Sequence, residues 1–387
     1  MKRVTKPDRP PASGGAVGPT AAVRDIVILG GSGDVGKRLT RLLLENTSAS
    51  VTTFSRRQVQ KAEKPGGRLR HVSRDLSSGE MLETSENALV VNLTEATPPV
   101  LARPIIKSGG WFLETSATPA YLSAITDALR DITGPGTAIL CVGAAPGLTN
   151  LLAAEMRAKA PDIVHIDIGL EMGMGRHYGA AGTEWFLRTA GKPYPVVMDH
   201  ALKIVAPGQL RRKFDFGEDG PPRHALGYGF AEQTLIADGA DLPLKTVRSF
   251  VALQPAWMTS ALALLLSLGM GPAIGRNART LTKWLLRTPA IGRTRSRLIV
   301  EGFDSADQLI GRIRLETGDQ AEATAAIIFA TIQNVMKHRE HGRSSVTTIT
   351  DYVLLDTALE VLRQVLPDTR MTVNFADGIG DRAGTSK

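Results

Sequence analysis

Residues 25–39 read DIVILGGSGDVGKRL. An apolar run, DIVIL (25–29), passes into Gly30-Gly31-Ser32-Gly33-Asp34-Val35-Gly36, and the segment 34–45 then repeats Val35, Leu39, Leu42 and Leu43 on one helical face. The order is strand, tight glycine turn, helix. Gly31, Gly33 and Gly36 satisfy G-x-G-x-x-G, while Gly30, Gly33 and Gly36 satisfy the related G-x-x-G-x-x-G spacing. Glycine is needed where the chain leaves a strand sharply, where a pyrophosphate approaches the backbone, and where helix packs on strand. The helix start then offers free N–H groups and a positive dipole end to phosphates. A glycine-rich turn alone can be only a turn. The strand before it, the helix it opens and the regular units that follow point to a dinucleotide site made by Gly31, Ser32, Gly33, Asp34, Val35 and Gly36.

Short apolar runs continue at 51–56, 68–72, 88–93, 110–115 and 137–143, and helical stretches begin near Pro99, Pro119 and Pro146. Proline suits a first helical turn because its missing N–H is not needed there. This alternation predicts a doubly wound parallel sheet of Rossmann type over 24–160. After about Pro161 the texture changes to VHIDIGLEM, VRSFVALQ, RSRLIVEGF and LIGRIRLET, separated by polar, glycine-rich loops. Strand-like alternation there predicts an α+β domain with a mixed or antiparallel sheet over 161–318. Amphipathic stretches at 319–340 and 350–366 predict helices that pack back on the cofactor domain, and residues 1–23 and 367–387 read as loose tails.

A chain of 387 residues is long enough for two domains. Its lone cysteine, Cys141, lies in the apolar run TAILCVG, so neither a disulfide framework nor a cysteine metal site is expected, and a reducing cytoplasm is the natural compartment. MKRV is followed by KPDRPPASGGAVGPT rather than an apolar signal core. The net charge of +8 comes without a nucleic-acid module and with only 5% aromatic residues. Much of the excess is local: residues 257–300 hold Arg276, Arg279, Lys283, Arg287, Arg293, Arg295 and Arg297 and no carboxylate side chain. Arg276, Arg279, Lys283 and Arg287 fall on one face of a helix, with Leu281, Trp284 and Leu285 on another. Such a segment, Arg276–Arg297, either contacts an anionic membrane or an acidic partner, or is a solvated face or a subunit interface. A homodimer is expected.

The end of the second strand distinguishes the two nicotinamide dinucleotides. A carboxylate there would bind a free ribose 2′-hydroxyl, but the chain offers Ser55, Arg56 and Arg57, with no Asp or Glu from Asn46 through Ala62. Arginines suit a 2′-phosphate, which they bind with charge-assisted hydrogen bonds. NADP(H) is the expected cofactor, unless both guanidiniums only face water.

VILGGSGDVGKRL, NLTEATPPV, GGWFLETSATPAYL and VGAAPGLTNLLA together resemble the saccharopine dehydrogenase and related reductase family, as does VEGFDSADQLIGRIRLETGDQAEATA at 300–325. The resemblance implies a Rossmann domain followed by a mixed α+β domain that covers the nicotinamide. It implies that Gly143 and Pro146 mark a helix start close to the active site. By the same resemblance Asp75 and Leu76 lie beside the adenine, and Thr94 and Glu95 near the ribose and nicotinamide. Asp75 could equally cap a helix or turn. The resemblance delivers no substrate, since fold does not fix function.

Hydride transfer is the cofactor's chemistry, while the protein orients a carbon and supplies a proton. The segment Glu171-Met172-Gly173-Met174-Gly175-Arg176-His177-Tyr178-Gly179 follows a strand and is the candidate substrate loop. His177 or Tyr178 could donate the proton, and Glu171, Arg176 and Lys192 could hold a substrate. Thr115 and Ser116 stand at the end of a Rossmann strand, where ligands sit in open α/β sheets. The expected function is an NADP-dependent oxidoreductase acting on a C=N bond or a related carbonyl-type substrate. The alternatives are a non-catalytic dinucleotide-binding sensor or tailoring-complex subunit, and a reductase of a lipid or polyketide intermediate.

Overall fold

A computed structural model of the chain describes residues 25–56, 67–79, 85–176, 178–217, 220–238, 244–338 and 346–376. The N-terminal part runs β1 (Asp25–Leu29), α1 (Asp34–Asn46), β2 (Ser50–Ser55), β3 (Leu69–Ser73), β4 (Leu89–Asn92), α2 (Ala102–Lys107), β5 (Trp111–Glu114), α3 (Pro119–Leu129), β6 (Thr137–Leu140) and α4 (Leu148–Lys159). β7 (His165–Gly173), α5 (Ala180–Ala190), β8 (Tyr194–Met198), β9 (Ala201–Val205), β10 (Arg211–Phe214), β11 (Arg223–Gly227), α6 (Glu232–Asp238) and β12 (Thr246–Gln254) follow. Then come α7 (Trp257–Ser267), α8 (Gly271–Arg276), α9 (Ala278–Leu285), β13 (Ser296–Phe303) and β14 (Leu309–Thr317). The chain closes with α10 (Gln320–His338), β15 (Val346–Thr348), α11 (Leu355–Val365) and β16 (Arg370–Phe375).

The first sheet has the order β15-β6-β5-β4-β1-β2-β3, and every pair in it is parallel. Alternation explains why both faces are covered. Ile26, Ile28, Leu89, Val91, Leu113 and Ile139 join one core with Leu39 and Leu43 of α1. Val27, Leu29, Val90, Phe112, Ala138 and Leu140 join another with Ile105, Ile106, Leu122 and Ile125 of α2 and α3. Full burial of such large side chains contributes about 1.5–3 kcal/mol each. The strand order reverses direction between β1 and β4, so the crevice at the C-terminal ends of these two strands is where an open sheet of this kind takes a ligand.

The second sheet has the order β10-β11-β12-β7-β13-β14-β16, with only β12 and β7 parallel; β8 pairs with β12 and β9 at its side. This is the mixed sheet that the sequence predicts. Ile166, Ile168 and Leu170 of β7 enter the same core as α1, α4 and α10, which binds the two sheets into one packed unit. The opposite face of β7 carries His165, Asp167 and Glu171, and it is polar. Asp167 accepts from Arg248 Nε and Nη2 at 2.7 Å each and bonds His165 Nε2 at 2.8 Å. Burial works against the charged form of Asp167, yet these bonds and the neighbouring Arg248 and Arg212 hold its carboxyl below the usual range.

Four expectations need correction. β6 stops at Leu140 instead of reaching Gly143, because Cys141 turns to φ +60° and leaves the ladder. α4 begins at Leu148 with Gly147 as its cap at φ +134°, so Pro146 precedes the helix rather than opening it. Residues from 367 are not wholly a loose tail: β16 pairs antiparallel with β14 over Gly311–Glu316, and Phe375 lies on Gly311. The basic segment is not one helix. α8 and α9 share it, Arg287 falls beyond α9, and Arg297 lies in β13, where it is 5% exposed and bonded to Glu171 and Glu316.

Candidate functional site

The glycine turn divides its work among four residues. Gly30 takes φ +86° and, with Gly31, donates to Phe54 O at 2.9 and 3.1 Å, which ties the turn to β2. A Cβ on Gly31 would stand 2.5 Å from Thr53 Cβ, and one on Gly36 would stand 2.6 Å from Gly31 Cα. Both approaches are too close for any side chain, so α1 can seat on the strand only with glycine there. Gly33 differs. It caps α1, is exposed, and a Cβ on it would meet only Gly30 O, at 3.2 Å. Packing therefore explains Gly31 and Gly36, whereas at Gly33 the open side is the approach that a pyrophosphate needs. The turn fits a dinucleotide.

Asp34 opens α1 and is the hub of an ion network. Arg176 Nη2 reaches its two carboxylate oxygens at 3.0 and 3.1 Å, and Arg38 Nε reaches it at 3.2 Å. Arg176 also pairs with Asp319 at 3.3 Å, and Arg38 with Asp319 at 3.5 Å and with Glu322. The candidate substrate loop is thus bolted to the glycine turn and to the start of α10. Gly179 completes the contact, because a Cβ there would lie 3.4 Å from Asp34 Cβ; the N-terminal end of α5 stands beside that of α1.

At the far side of the turn, Arg56 is exposed immediately after β2, while Arg57 lies outside the described residues. Asp75 accepts from Ser77 N at 3.0 Å and Ser77 Oγ at 2.8 Å and caps the single turn Leu76–Ser78. Those bonds and the nearby Arg56 hold its carboxyl below the ordinary range. The capping role is observed. Leu76 is 7% exposed and packs in the core with Phe54.

The ends of β4 and β5 carry a buried polar cluster. Asn92 Nδ2 donates to Glu114 Oε2 at 2.7 Å and to Tyr121 Oη at 3.1 Å, and Thr97 Oγ1 donates to Asn92 Oδ1 at 3.1 Å. Ser116 N donates to Glu114 Oε1 at 2.8 Å, its hydroxyl donates to Glu95, and Thr115 Oγ1 donates to Asn92 O at 2.9 Å. Thr94 Oγ1 accepts from Ala96 N at 3.2 Å and shapes the same loop. Burial pushes Glu114 up to about 8, against the bonds from Asn92 and Ser116. A second buried acid, Glu232, accepts from Thr149 Oγ1 of α4 at 2.7 Å and from Ser249 Oγ of β12 at 3.0 Å, and burial pushes it up to about 7. Burial first, then Glu232 and Glu114, raise the Cys141 thiol, which places that residue between the two acids' fields. Glu114, Asn92, Tyr121 and Glu232 were not foreseen. The one available signal was Glu114 itself, a carboxylate at the C-terminal end of an otherwise apolar strand.

Other predicted residues are not brought together. Gly143 and Pro146 are buried, with Gly143 beneath Thr324 of α10. Glu171 is 2% exposed, its oxygens held by Arg223 and by Arg297 at 3.0 Å, so it is committed to the polar face of the second sheet and not to a substrate. Tyr178 donates its hydroxyl to Gly173 O at 3.1 Å, and burial raises it above its usual range. Lys192 is exposed beyond the C-terminal end of α5, an 11-residue helix about 16 Å long, and so stands away from Arg176. His177 lies outside the described residues. In place of these, Trp185 Nε1 of α5 donates to Thr118 Oγ1 at 2.8 Å, and Phe186 stacks on Tyr228 with centroids 5.1 Å apart. An aromatic wall from the second domain thereby meets the loop after β5.

No protein-family model and no curated protein matches the chain. Solved structures do. Saccharopine dehydrogenase (L-Glu forming) from Saccharomyces cerevisiae matches with a TM-score of 0.59 at 12% identity, over 90% of this chain and 100% of that one. The chain has the saccharopine dehydrogenase-like fold. Homospermidine synthase from Legionella pneumophila, solved in complex with NAD, shares it with a TM-score of 0.64 at 12% identity, over 92% of each chain. In this fold the predicted resemblance and the paired Rossmann and mixed sheets are both found.

The glycine turn sets up a contrast between two substitutions. Gly33→Val should fold, with a melting temperature close to the parent's, and lose a nicotinamide dinucleotide by roughly 100-fold or more in affinity, because its side chain takes the phosphate's place. Gly36→Val should not fold, since its Cβ meets backbone. Thermal melts with calorimetric titration check both; Gly33→Val binding at parental affinity would remove the turn from the site.

The buried acids set the pH response. The unfolded chain releases the Glu114 proton near 4.5 and the folded one near 8, so between these values the folded state holds the extra proton and rising pH costs stability. Glu232 acts in the same sense between 4.5 and about 7. Unfolding free energy should fall from pH 5 to pH 8, on the order of 4 kcal/mol from Glu114 if it acts alone. Denaturant titrations across that range should show a flatter profile for Glu114→Gln.

Proposed function

We propose that the chain is an NADP(H)-dependent oxidoreductase that moves a hydride to or from a carbon bonded to nitrogen in a small amine or amino-acid substrate. The observation that carries the cofactor half is the turn of Gly30 to Gly36, open at Gly33, with exposed Arg56 at the end of β2 and no carboxylate from Asn46 through Ala62. A guanidinium in that place favours a 2′-phosphate and offers nothing to a bare 2′-hydroxyl that needs an acceptor. The substrate half is supported by the two fold relatives, one named for saccharopine and L-glutamate and the other for homospermidine.

The cofactor, when bound, supplies the hydride; the rest falls to the chain. On this reading Thr94, Glu95, Thr115 and Ser116 line the nicotinamide end of the crevice. α5, held by the Trp185–Thr118 bond and the Arg176–Asp34 pair, closes the second domain over the strand ends and limits water.

Fluorescence or calorimetric titration should show tighter binding of NADPH than of NADH. Replacing Arg56 and Arg57 by alanine together should weaken NADPH selectively, by roughly 1.5–3 kcal/mol. Equal affinities in the parent would refute the NADP assignment. A screen of amines, imines and keto acids in both directions tests the reaction class, and firm NADPH binding without turnover on any of them would favour a sensor or complex subunit.

A further inference from the structure

The helices α7 to α9 do not behave as core. Among the described residues eleven large apolar side chains are exposed, and six of them, Trp257, Leu264, Leu268, Met270, Trp284 and Ile291, fall within this stretch and the loop after it. α7 reads WMTSALALLLS, and among its 11 residues only Thr259 is buried. Its exposed members are not scattered. Trp257, Ala261, Leu264 and Leu268 recur at i, i+4, i+7 and i+11, a single stripe along the side turned away from the protein. Leu266, on the other side, packs over Gly208. The loop beyond α9 reaches the start of the stripe, since Gly292 lies against Pro255, two residues before Trp257.

The segment that carries this apolar surface holds charge of one sign. No Asp or Glu occurs from 242 to 300. Arg276, Arg279, Lys283 and Arg287 are exposed, and none makes an ion pair among the described residues. On α9 the exposed positions are Arg279, Thr280, Lys283 and Trp284, while Ala278 and Thr282 face inward.

We propose that α7 to α9 dock the protein on an anionic lipid surface, with the Trp257–Leu264–Leu268 stripe entering the headgroup boundary and Arg276, Arg279, Lys283 and Arg287 meeting lipid phosphates and carboxylates. The chemistry matches that surface at each point. Tryptophan and leucine beside arginine and lysine are what an interfacial helix uses, apolar side down and cations level with the headgroups. α7 is about 16 Å long against a hydrocarbon core of about 30 Å, so it lies on the bilayer and does not cross it. A second copy of the chain fits poorly, because a two-fold contact through this surface would bring together two cationic segments that hold no carboxylate of their own. The docking helices connect to the candidate site through α5. α5 packs on α8 and α9, with Gly191 at its end against Gly271, and its other end meets Asp34.

The test uses the full chain with vesicles of phosphatidylcholine alone and of phosphatidylcholine with about 30% phosphatidylserine. Co-sedimentation should occur with the anionic vesicles, weaken as salt is raised, and be accompanied by a blue shift of tryptophan emission. The pair Leu264→Asp/Leu268→Asp and the pair Arg279→Glu/Lys283→Glu should each lower the partition coefficient roughly ten-fold or more. All four side chains are exposed, and unchanged melting temperature and NADPH affinity would show that each variant is folded. If the aspartate pair fails to fold, the charge pair carries the test. No binding to anionic vesicles, or equal binding by parent and charge variant, overturns the proposal. So does a dimer, seen without lipid by analytical ultracentrifugation, that the substitutions dissociate.

Discussion

The constraint on which the cofactor half depends is the close packing of helix on strand at the first turn. α1 sits so near β1 and β2 that Gly36 has no room beyond Gly31 and Gly30, and Gly31 none beyond Thr53. That approach aims the helix at the crevice between β1 and β4, where its first N–H groups have no partner within the helix. It also sets where Asp34 stands. Because Asp34 is the first residue of α1, the ion pairs it makes with Arg176 and Arg38 transmit the position of the turn to the second domain and to α10.

The two sheets share a core, yet their other faces solve different problems. The first is wrapped on both sides by helices and packs an apolar core on each face, with buried Asn92 and Glu114 at its strand ends. The second buries carboxylates among arginines: Asp167 with Arg248 and Arg212, Glu301 with Arg212 and Arg312, Glu171 with Arg223 and Arg297. Such pairs contribute little net stability, because desolvation offsets attraction, but removing one partner leaves an unpaired buried charge. They bridge neighbouring strands, Asp167–Arg248 across β7 and β12, Glu301–Arg312 across β13 and β14, and Glu171–Arg297 across β7 and β13. The buried acids at the domain junction differ from these. Glu114 and Glu232 are buried with hydroxyl, amide and backbone partners and, among the described residues, no arginine, and so they keep their protons to unusually high pH.

The Rossmann half was legible because its signals are local. A strand, three glycines at fixed spacing and a helical repeat follow one another in the chain, and the strands at 88–93 and 110–115 differ from the observed ones only at their ends. The mixed sheet was legible through alternation in segments such as LIGRIRLET. What failed depended on partners distant in sequence. Glu171 looked like a loop carboxylate, but Arg223 and Arg297, brought beside it by β11 and β13, turn it into a structural residue. Lys192 and Arg176 were both read as holding a substrate, and a helix separates them. Residues after Pro367 carry no strong strand signal, and β16 forms because β14 would otherwise present an open edge.

Hydrogen exchange read by mass spectrometry, with and without saturating NADPH, tests the central claim most directly, because it reports where the cofactor lies without assuming a substrate. Slower exchange on binding is predicted for the backbone amides of residues 30–37, for the segment following β2, and for the start of α5 next to Asp34. Protection confined to the second sheet, or none in the glycine turn despite saturation, would contradict the account.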